Sequence, residues 1–218
     1  TEPEMVFHLA AQPLVPESYI TPRETFEINT QGTANILEAI RQTSSVQTGV
    51  MVTSDKCYEN QEWIYGYRET DPVGGHYPYS ASKGAAEIVI SSNIRSFFST
   101  DDTPAISSVR AGNVIGGGDW SEDRIVPDFM RSLEAKKPIC LRNPGAVRPW
   151  QHILEPLYGY LLLGAAMIQN GHSFSGAWNF GPSHRNNLTV EELIRKFIEH
   201  SRGGMIEAPK RDTPHEAG

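Results

Sequence analysis

Two short clusters in this sequence combine residue types that can move protons. The first is Tyr79-Ser80-Ala81-Ser82-Lys83, placed where Pro78 opens a helix. Tyr and Lys four apart on a helix lie on one face, one turn from each other. An ammonium beside a phenol favours the phenolate, which makes the tyrosine a usable base near neutral pH. Alone, the pattern is weak, since the same spacing far more often describes a surface lysine next to a partly buried tyrosine. The second cluster, Thr53-Ser54-Asp55-Lys56, leaves the carboxyl end of the apolar run 49–53. Parallel sheets place ligands and chemistry at the carboxyl ends of their strands. A hydroxyl, a carboxylate and an ammonium there, followed by Tyr79 and Lys83 on the next helix, point to one site rather than to a polar loop exit.

The elements that must hold these clusters follow from hydrophobic periodicity. Residues 5–11 (MVFHLAA) form an apolar run that predicts a fully buried parallel strand. A polar loop follows, and Thr21-Pro22-Arg23-Glu24 then offers an N-cap Thr, Pro at the first helical position and Glu three residues after the cap, a capping box. Phe26, Ile28, Ala34, Ile36, Leu37 and Ile40 recur at helical spacing, which predicts one amphipathic helix over 22–42. A strand at 49–53, a helix at 79–98 and a strand at 104–111 complete a β-α-β-α-β pattern. The fold class is α/β, a doubly wound parallel sheet. Beyond Ala111 the pattern predicts helices at 125–136, 153–169 and 189–200, with strands at 138–141 and 177–180. This places a sheet domain in 1–111 and a smaller lobe, interleaved with the sheet, in 112–218. The run Gly112 to Gly118 lacks the GxGxxG spacing and opens no helix directly behind it, so it reads as a turn that carries the chain out of the sheet.

Composition narrows the function classes. With 218 residues, 39% hydrophobic and 21% charged, the chain has the make-up of a soluble globular protein able to bury a core. No run reaches the roughly 18 to 20 apolar residues of a membrane span, so no membrane partner is expected. A net charge of -7 argues against non-specific nucleic-acid binding. Cys57 and Cys140, far apart and outside any CxxC, argue against a disulfide framework and a zinc site. They read as reduced thiols of a cytoplasmic protein, and no metal is expected. The chain opens on Thr1 with no secretory signal, which suggests that it begins within a longer protein.

Five segments together resemble the extended short-chain dehydrogenase/reductase family in its sugar-nucleotide branch. They are His8-Leu9-Ala10-Ala11, Asn29-Thr30-Gln31-Gly32-Thr33, Ser54 at a strand end, Tyr79 to Lys83, and Arg110-Ala111-Gly112-Asn113-Val114-Ile115-Gly116. They match the family's HLAA, NxxGT, Ser/Thr strand end, YxxxK and RxxNVxG in order and spacing. The strings HLAAQPLV, TSDKCYEN, GYRE, RAGNVIGGGDW, DRIVPD and RPWQHILEPL are most similar to members that dehydrate CDP-glucose.

The resemblance implies NAD as cofactor, CDP-glucose as substrate and a lyase activity. The sugar is oxidised at C4, loses water across C5 and C6, and regains the hydride at C6. Tyr79 is then the base for the 4-hydroxyl, Ser54 hydrogen-bonds the same oxygen, and Lys83 holds the tyrosinate and the nicotinamide ribose. Asp55 maps to the acid of the elimination. Lys56 stands where related dehydratases carry Glu, and acts either as the base or as a positioning charge. Ala10, Ala11 and Gln12 would line the cofactor, Asn113 would contact the sugar, Arg124 and Arg148 would meet the diphosphate, and Asn179 would lie near the nucleotide. The resemblance makes 1–111 the second part of an NAD-binding Rossmann-like domain, and 112–218 a substrate-binding lobe. The family's GxxGxxG segment would precede Thr1. It also implies a homodimer built on the helices at 22–42 and 79–98, where Ile88, Val89 and Ile90 make an apolar stretch wider than one buried stripe. A 4-epimerase or decarboxylase of the same family needs Tyr79 and Lys83 but no acid at Asp55, and a non-catalytic binding protein needs neither.

Overall fold

Period-two alternation in two central strands decides which helices cover which face. In the computed structural model, which describes residues 2–183 and 187–207, Val50 of β2 (Thr48–Val52) and Ala105 and Val109 of β3 (Ala105–Ala111) face one way. Met51 and Ile106 face the other. The first set packs with Tyr160, Leu163 and Met167 of α6 (Leu154–Asn170). The second packs with Leu37 and Ile40 of α3 (Gly32–Gln42) and Ile90 of α4 (Pro78–Phe97). Both faces are therefore covered, as a doubly wound sheet requires. The sheet has the order β1-β2-β3-β8, with β1 at Met5–His8 and β8 at Gly176–Phe180, and all pairs are parallel. Expected and observed class agree: the chain is a Rossmann-like α/β sheet.

Several boundaries differ from expectation for physical reasons. β1 stops at His8 rather than Ala11 and is only half-buried, because it pairs with β2 alone among the described strands. The expected polar loop contains a one-and-a-half-turn helix, α1 (Val15–Ile20). No capping box forms at Thr21, since its hydroxyl turns back to the Glu17 carbonyl and to Glu17 Oε1 at 3.0 Å. The helix at 22–42 is continuous but carries a π turn, Glu27–Gln31, between α2 (Pro22–Phe26) and α3. That inserted residue shifts the phase of the buried face. Thr25, Asn29 and Thr33 point inward, while Phe26 and Ile28 are each 38% exposed. A polar stripe is buried there because it supplies hydrogen bonds to the neighbouring chain.

By its contacts the chain divides into two compact units that do not follow the expected split at 111/112. Residues up to Gly112 group with Leu154–Phe180, and Asn113–Ile153 groups with the described residues from Gly181 on. The reason is that α6 and β8 complete the sheet, one on its face and the other beside β3. Positions 184–186 and 208–218 of the expected lobe lie outside the described residues. The second unit has its own core of Phe129, Ile139, Leu141 and Ile194, between α5 (Ile125–Glu134) and α7 (Val190–Ser201). Short pairs brace it: β4 (Val114–Ile115) with β7 (Gln151–His152), β5 (Ile139–Cys140) with β10 (Ile206–Glu207), and β6 (Val147–Arg148) with β9 (Leu188–Thr189). A capping box does form here, with Thr189 and Glu192 satisfying each other's backbone N–H at the start of α7. No described helix is long and apolar enough to cross a membrane.

Candidate active site

The strand exit of β2 is a built turn. Ser54 is fully extended and caps a single 3₁₀ turn, Asp55–Cys57. Its hydroxyl accepts the Lys56 N–H at 3.2 Å and donates to Asp55 Oδ1 at 3.1 Å. Ser54, Asp55 and Lys56 are thus held on one turn at the carboxyl end of the strand. Cys57 closes that turn by pointing into the protein, where it is fully buried.

The turn packs directly against α4, the helix of Tyr79 and Lys83. Gly84 allows this approach, since a Cβ there would stand 2.4 Å from the Gly74 carbonyl and 3.3 Å from that of Cys57. The Gly74 N–H in turn donates to the Cys57 carbonyl at 2.8 Å. A second side of α4 is held by the π turn. Asn29 Nδ2 donates to Ser82 Oγ at 2.9 Å, and Thr30 Oγ1 to the Ser82 carbonyl at 3.0 Å. The same Asn29 amide takes both backbone groups of Gln12, at 2.8 and 3.1 Å. The family-like Asn29 to Thr33 segment therefore fastens the exit of β1 to the first turn of α4.

Tyr79 and Lys83 are both buried, one helical turn apart. Burial pulls the Lys83 ammonium down to about 8, with partial compensation from its electrostatic neighbours, Glu87 among them. His8, at the end of β1, is lowered by burial and then by the Lys83 charge, so it stands there as a neutral imidazole. Cys57 is pushed up by burial first and by Glu87 second, and is a neutral thiol.

Beneath these residues lies a polar network that sequence reasoning missed. The carboxyl-end positions facing α4 change from apolar Met51 and Ile106 to Thr53, Ser108 and Arg110, and all three of the latter converge on Glu87. Thr53 Oγ1 donates to Oε1, Ser108 Oγ to Oε2 at 2.8 Å, and Arg110 Nη2 to Oε2 at 2.6 Å. Burial opposes the Arg110 charge, but the Glu87 carboxylate outweighs it and keeps the guanidinium protonated. Arg110 Nη1 donates to the Tyr58 hydroxyl at 2.8 Å, and that hydroxyl donates to Asn179 Oδ1 at 2.7 Å. The available signal was a glutamate four residues after Lys83, on the same helical face and beside an otherwise buried stripe.

Of the expected site residues, Ser54, Asp55, Lys56, Tyr79 and Lys83 are brought to one end of the first unit by the packing of the turn on α4. Ala10 is exposed just beyond β1 and Ala11 is half-buried. Gln12 uses its side-chain amide within the protein, donating to Thr25 Oγ1 at 2.9 Å and to the Leu14 carbonyl at 3.1 Å. Its side chain is thus committed to the fold, as are its backbone N–H and carbonyl, both held by Asn29. The Asn179 amide is similarly committed, to Tyr58 and to the Tyr67 carbonyl at 2.9 Å, because β8 must tie down the loop after Tyr58. Asn113, Arg124 and Arg148 belong to the second unit. There Arg124 precedes α5 with Asp119 at 3.6 Å, Arg148 donates to the Val147 carbonyl, and the Asn113 carbonyl accepts the Gln151 N–H. No cluster of three or more metal-ligating side chains occurs among the described residues.

The site fits a ligand with hydroxyl groups beside Lys83. The lysine is 5% exposed, and no described side chain forms a hydrogen bond or ion pair with its ammonium. A buried cation without such a partner is costly unless something else supplies acceptors. A ribose hydroxyl pair of a dinucleotide, placed at the carboxyl end of a parallel sheet, has that chemistry.

Comparison with known proteins agrees with this architecture. Residues 1–175 match the model of the NAD dependent epimerase/dehydratase family. The chain is 49% identical over 201 residues to CDP-glucose 4,6-dehydratase of Salmonella typhimurium, covering 90% of this chain and 56% of that protein. The chain thus spans little more than half the length of that relative. Among solved structures, the UDP-glucose 4-epimerase of Thermus thermophilus in complex with NAD superposes with a TM-score of 0.79 at 26% identity, covering 96% of this chain and 66% of the other. The UDP-N-acetylglucosamine 4-epimerase of Methanobrevibacter ruminantium has the same fold, with a TM-score of 0.82 at 18% identity over 98% of this chain and 65% of its own. With most of its length matched and nearly half of the aligned residues shared with a curated relative, the chain belongs to the NAD dependent epimerase/dehydratase family.

Proposed function

We propose that the protein containing this chain is an NAD-dependent sugar-nucleotide 4,6-dehydratase acting on CDP-glucose. The observation that carries the reading is the Ser54-Asp55-Lys56 turn, packed against the helix of Tyr79 and Lys83. It sets a carboxyl group beside the hydroxyl of an oxidation site, which a dehydratase needs and an epimerase does not. The similarity to the Salmonella enzyme named above supports the choice of nucleotide.

NAD, when bound, would supply the hydride acceptor for C4 and the hydride donor for C6. The residues of the chain do the rest. Tyr79 removes the proton of the 4-hydroxyl, and Ser54 Oγ hydrogen-bonds that oxygen. The Lys83 ammonium favours the charged phenolate and holds the nicotinamide ribose. Once C4 is a ketone the C5 proton is acidic, and Asp55 protonates the departing 6-hydroxyl, a poor leaving group. Lys56 completes the turn as the elimination base or as a positioning charge. Ala10, Ala11 and Gln12 line the cofactor, with Asn29 fixing the backbone of Gln12. Asn113 contacts the sugar, Arg124 and Arg148 offer planar cations to the diphosphate, and Asn179 steadies the loop near the nucleotide.

The proposal extends to a cytoplasmic homodimer. Two free thiols suit a reducing compartment. On α4, Ile88 is 59% exposed beside fully buried Ile90, an apolar position outside the sheet-facing stripe. Light scattering of the whole protein at micromolar concentration should give twice the chain mass, and a monomer rejects the dimer.

The deciding experiment incubates the whole protein with NAD and CDP-glucose and follows the sugar by mass spectrometry and NMR. A 4-keto-6-deoxy product lighter by one water is expected. A product of unchanged mass, inverted at C4, makes the protein an epimerase instead.

A further inference from the structure

Glu87 is the meeting point of three elements. It lies on α4 one turn beyond Lys83, is 4% exposed, and receives hydrogen bonds from Thr53 at the end of β2 and from Ser108 and Arg110 of β3. Thr53 is the residue before Ser54, so the bond from Thr53 ties the turn of α4 that carries Lys83 to the strand exit that carries Ser54 and Asp55. A carboxylate that accepts three such donors is held in one rotamer.

We propose that Glu87 is a positioning residue of the site: its three hydrogen bonds lock the Lys83 turn of α4 in register with Ser54 and fix a carboxylate one helical turn from the Lys83 ammonium. This rests on the role given to Lys83 above. Arg110 pairs with Glu87, and the Tyr58 hydroxyl, itself bonded to Asn179, holds Arg110 from its far side.

The groups around Lys83 bear this out. From the turn after β2 it meets Cys57, a neutral thiol; from β1, the neutral imidazole of His8; along α4, Tyr79 and Glu87. The charge of Arg110, on β3, is matched by its pair with Glu87. Among these groups Glu87 is the anion that opposes the desolvation of Lys83. Without it, a larger share of Lys83 is neutral at pH 7 to 8, and the Tyr79 phenolate loses the cation that favours it.

The test uses the whole protein labelled with ¹³C at the lysine ε position, so that Lys83 can be titrated by NMR; Lys83→Met assigns the signal. In Glu87→Gln the Lys83 midpoint should fall by on the order of one pH unit, and the alkaline limb of kcat/KM with CDP-glucose should move down by the same interval. Glu87→Asp should restore both in large part. The double variant Glu87→Gln with Arg110→Met removes both charges of the pair together and decides the matter if the single variant does not fold. In the double variant the lowered midpoint should persist, because the carboxylate one turn from Lys83 is still missing. An unmoved midpoint in the folded variants overturns the proposal. Because the NMR titration needs no turnover, failure of the wild type to convert CDP-glucose counts against the function assigned above and leaves this measurement independent.

Discussion

Asn29 Nδ2 lies 2.9 Å from Ser82 Oγ, across 53 positions of sequence, and Ser82 Oγ itself donates to the Tyr79 carbonyl at 2.7 Å. A π turn on one helix is thereby joined to the first turn of another, the turn that carries Tyr79. The same asparagine accepts the Gln12 N–H at 2.8 Å, so the end of β1 is tied to the same point. Asn29 is 2% exposed, and no water can replace these bonds without rearrangement.

Asn29→Ala should therefore cost more than one ordinary hydrogen bond. It leaves the Gln12 N–H and carbonyl unpaired in the interior, and an orphaned buried polar group costs about 1 to 3 kcal/mol. A loss of about 2 to 3 kcal/mol in urea unfolding is expected, with reduced turnover because the Tyr79 turn loses its lateral support. Stability within a few tenths of a kcal/mol of wild type would sink this account of the segment.

Gly84→Ala sets two known effects against each other. Alanine favours a helix interior over glycine by about 1 kcal/mol. A Cβ at this position, however, would stand 2.4 Å from the Gly74 carbonyl oxygen, a backbone atom that cannot rotate away. Overpacking of that kind costs about 1 to 3 kcal/mol, so the net effect should be destabilising. The shift falls on the contact between α4 and the Asp55–Cys57 turn, and catalysis should suffer as well. Thermal unfolding of the variant checks the sign, and a raised Tm contradicts the close approach.

What could be read from residue order alone, and what could not, follows a physical division. The central strands and the second half of the long helix after β1 were legible because each has an apolar stripe of the right period, and α4 because Pro78 marks its start. The pairing of Ser54-Asp55-Lys56 with Tyr79 and Lys83 was legible because strand ends and helix faces have fixed geometry. The buried stripe of Thr25, Asn29 and Thr33 was not, since a single inserted π residue changes which side chains face inward and polar residues give no hydrophobic signal. Glu87 and Arg110 escaped for the related reason that a charged residue in a sequence reads as exposed until its partner is located. The commitments of Gln12 and Asn179 to the protein itself depend on neighbours distant in sequence.

Thiol chemistry should separate the two cysteines. Cys140 is exposed, whereas Cys57 is fully buried and its thiol is pushed up by burial and by the Glu87 charge. A disulfide reagent at neutral pH should modify Cys140 rapidly in the folded protein and reach Cys57 only after denaturation. Peptide mapping reads the order directly, and early modification of Cys57 would show that the turn after β2 opens in the native state.

The last prediction concerns the sign with which Lys83 enters stability. Burial lowers its value from 10.5 to about 8, so below pH 8 the ammonium is charged in both the folded and the unfolded chain, and the folded state bears the full desolvation cost. Between pH 8 and 10.5 the unfolded chain binds the proton that the folded chain has lost, and stability attributable to this residue rises with pH. An interval of that size corresponds to a cost on the order of 3 kcal/mol at pH 7. Lys83→Met fills the same volume without the charge, and Glu87 keeps its pair with Arg110. The variant should thus be more stable than wild type at pH 7 by up to that amount, with the advantage shrinking as pH rises towards 10.5, while its turnover falls by about 10²-fold or more because the cation beside Tyr79 is gone. Denaturant titrations at several pH values give the difference between the two proteins, which cancels other groups that titrate in the same range. A Lys83→Met variant less stable than wild type at pH 7 would mean that the ammonium is stabilised in the folded state and that this end of the sheet is not organised around a strained cation.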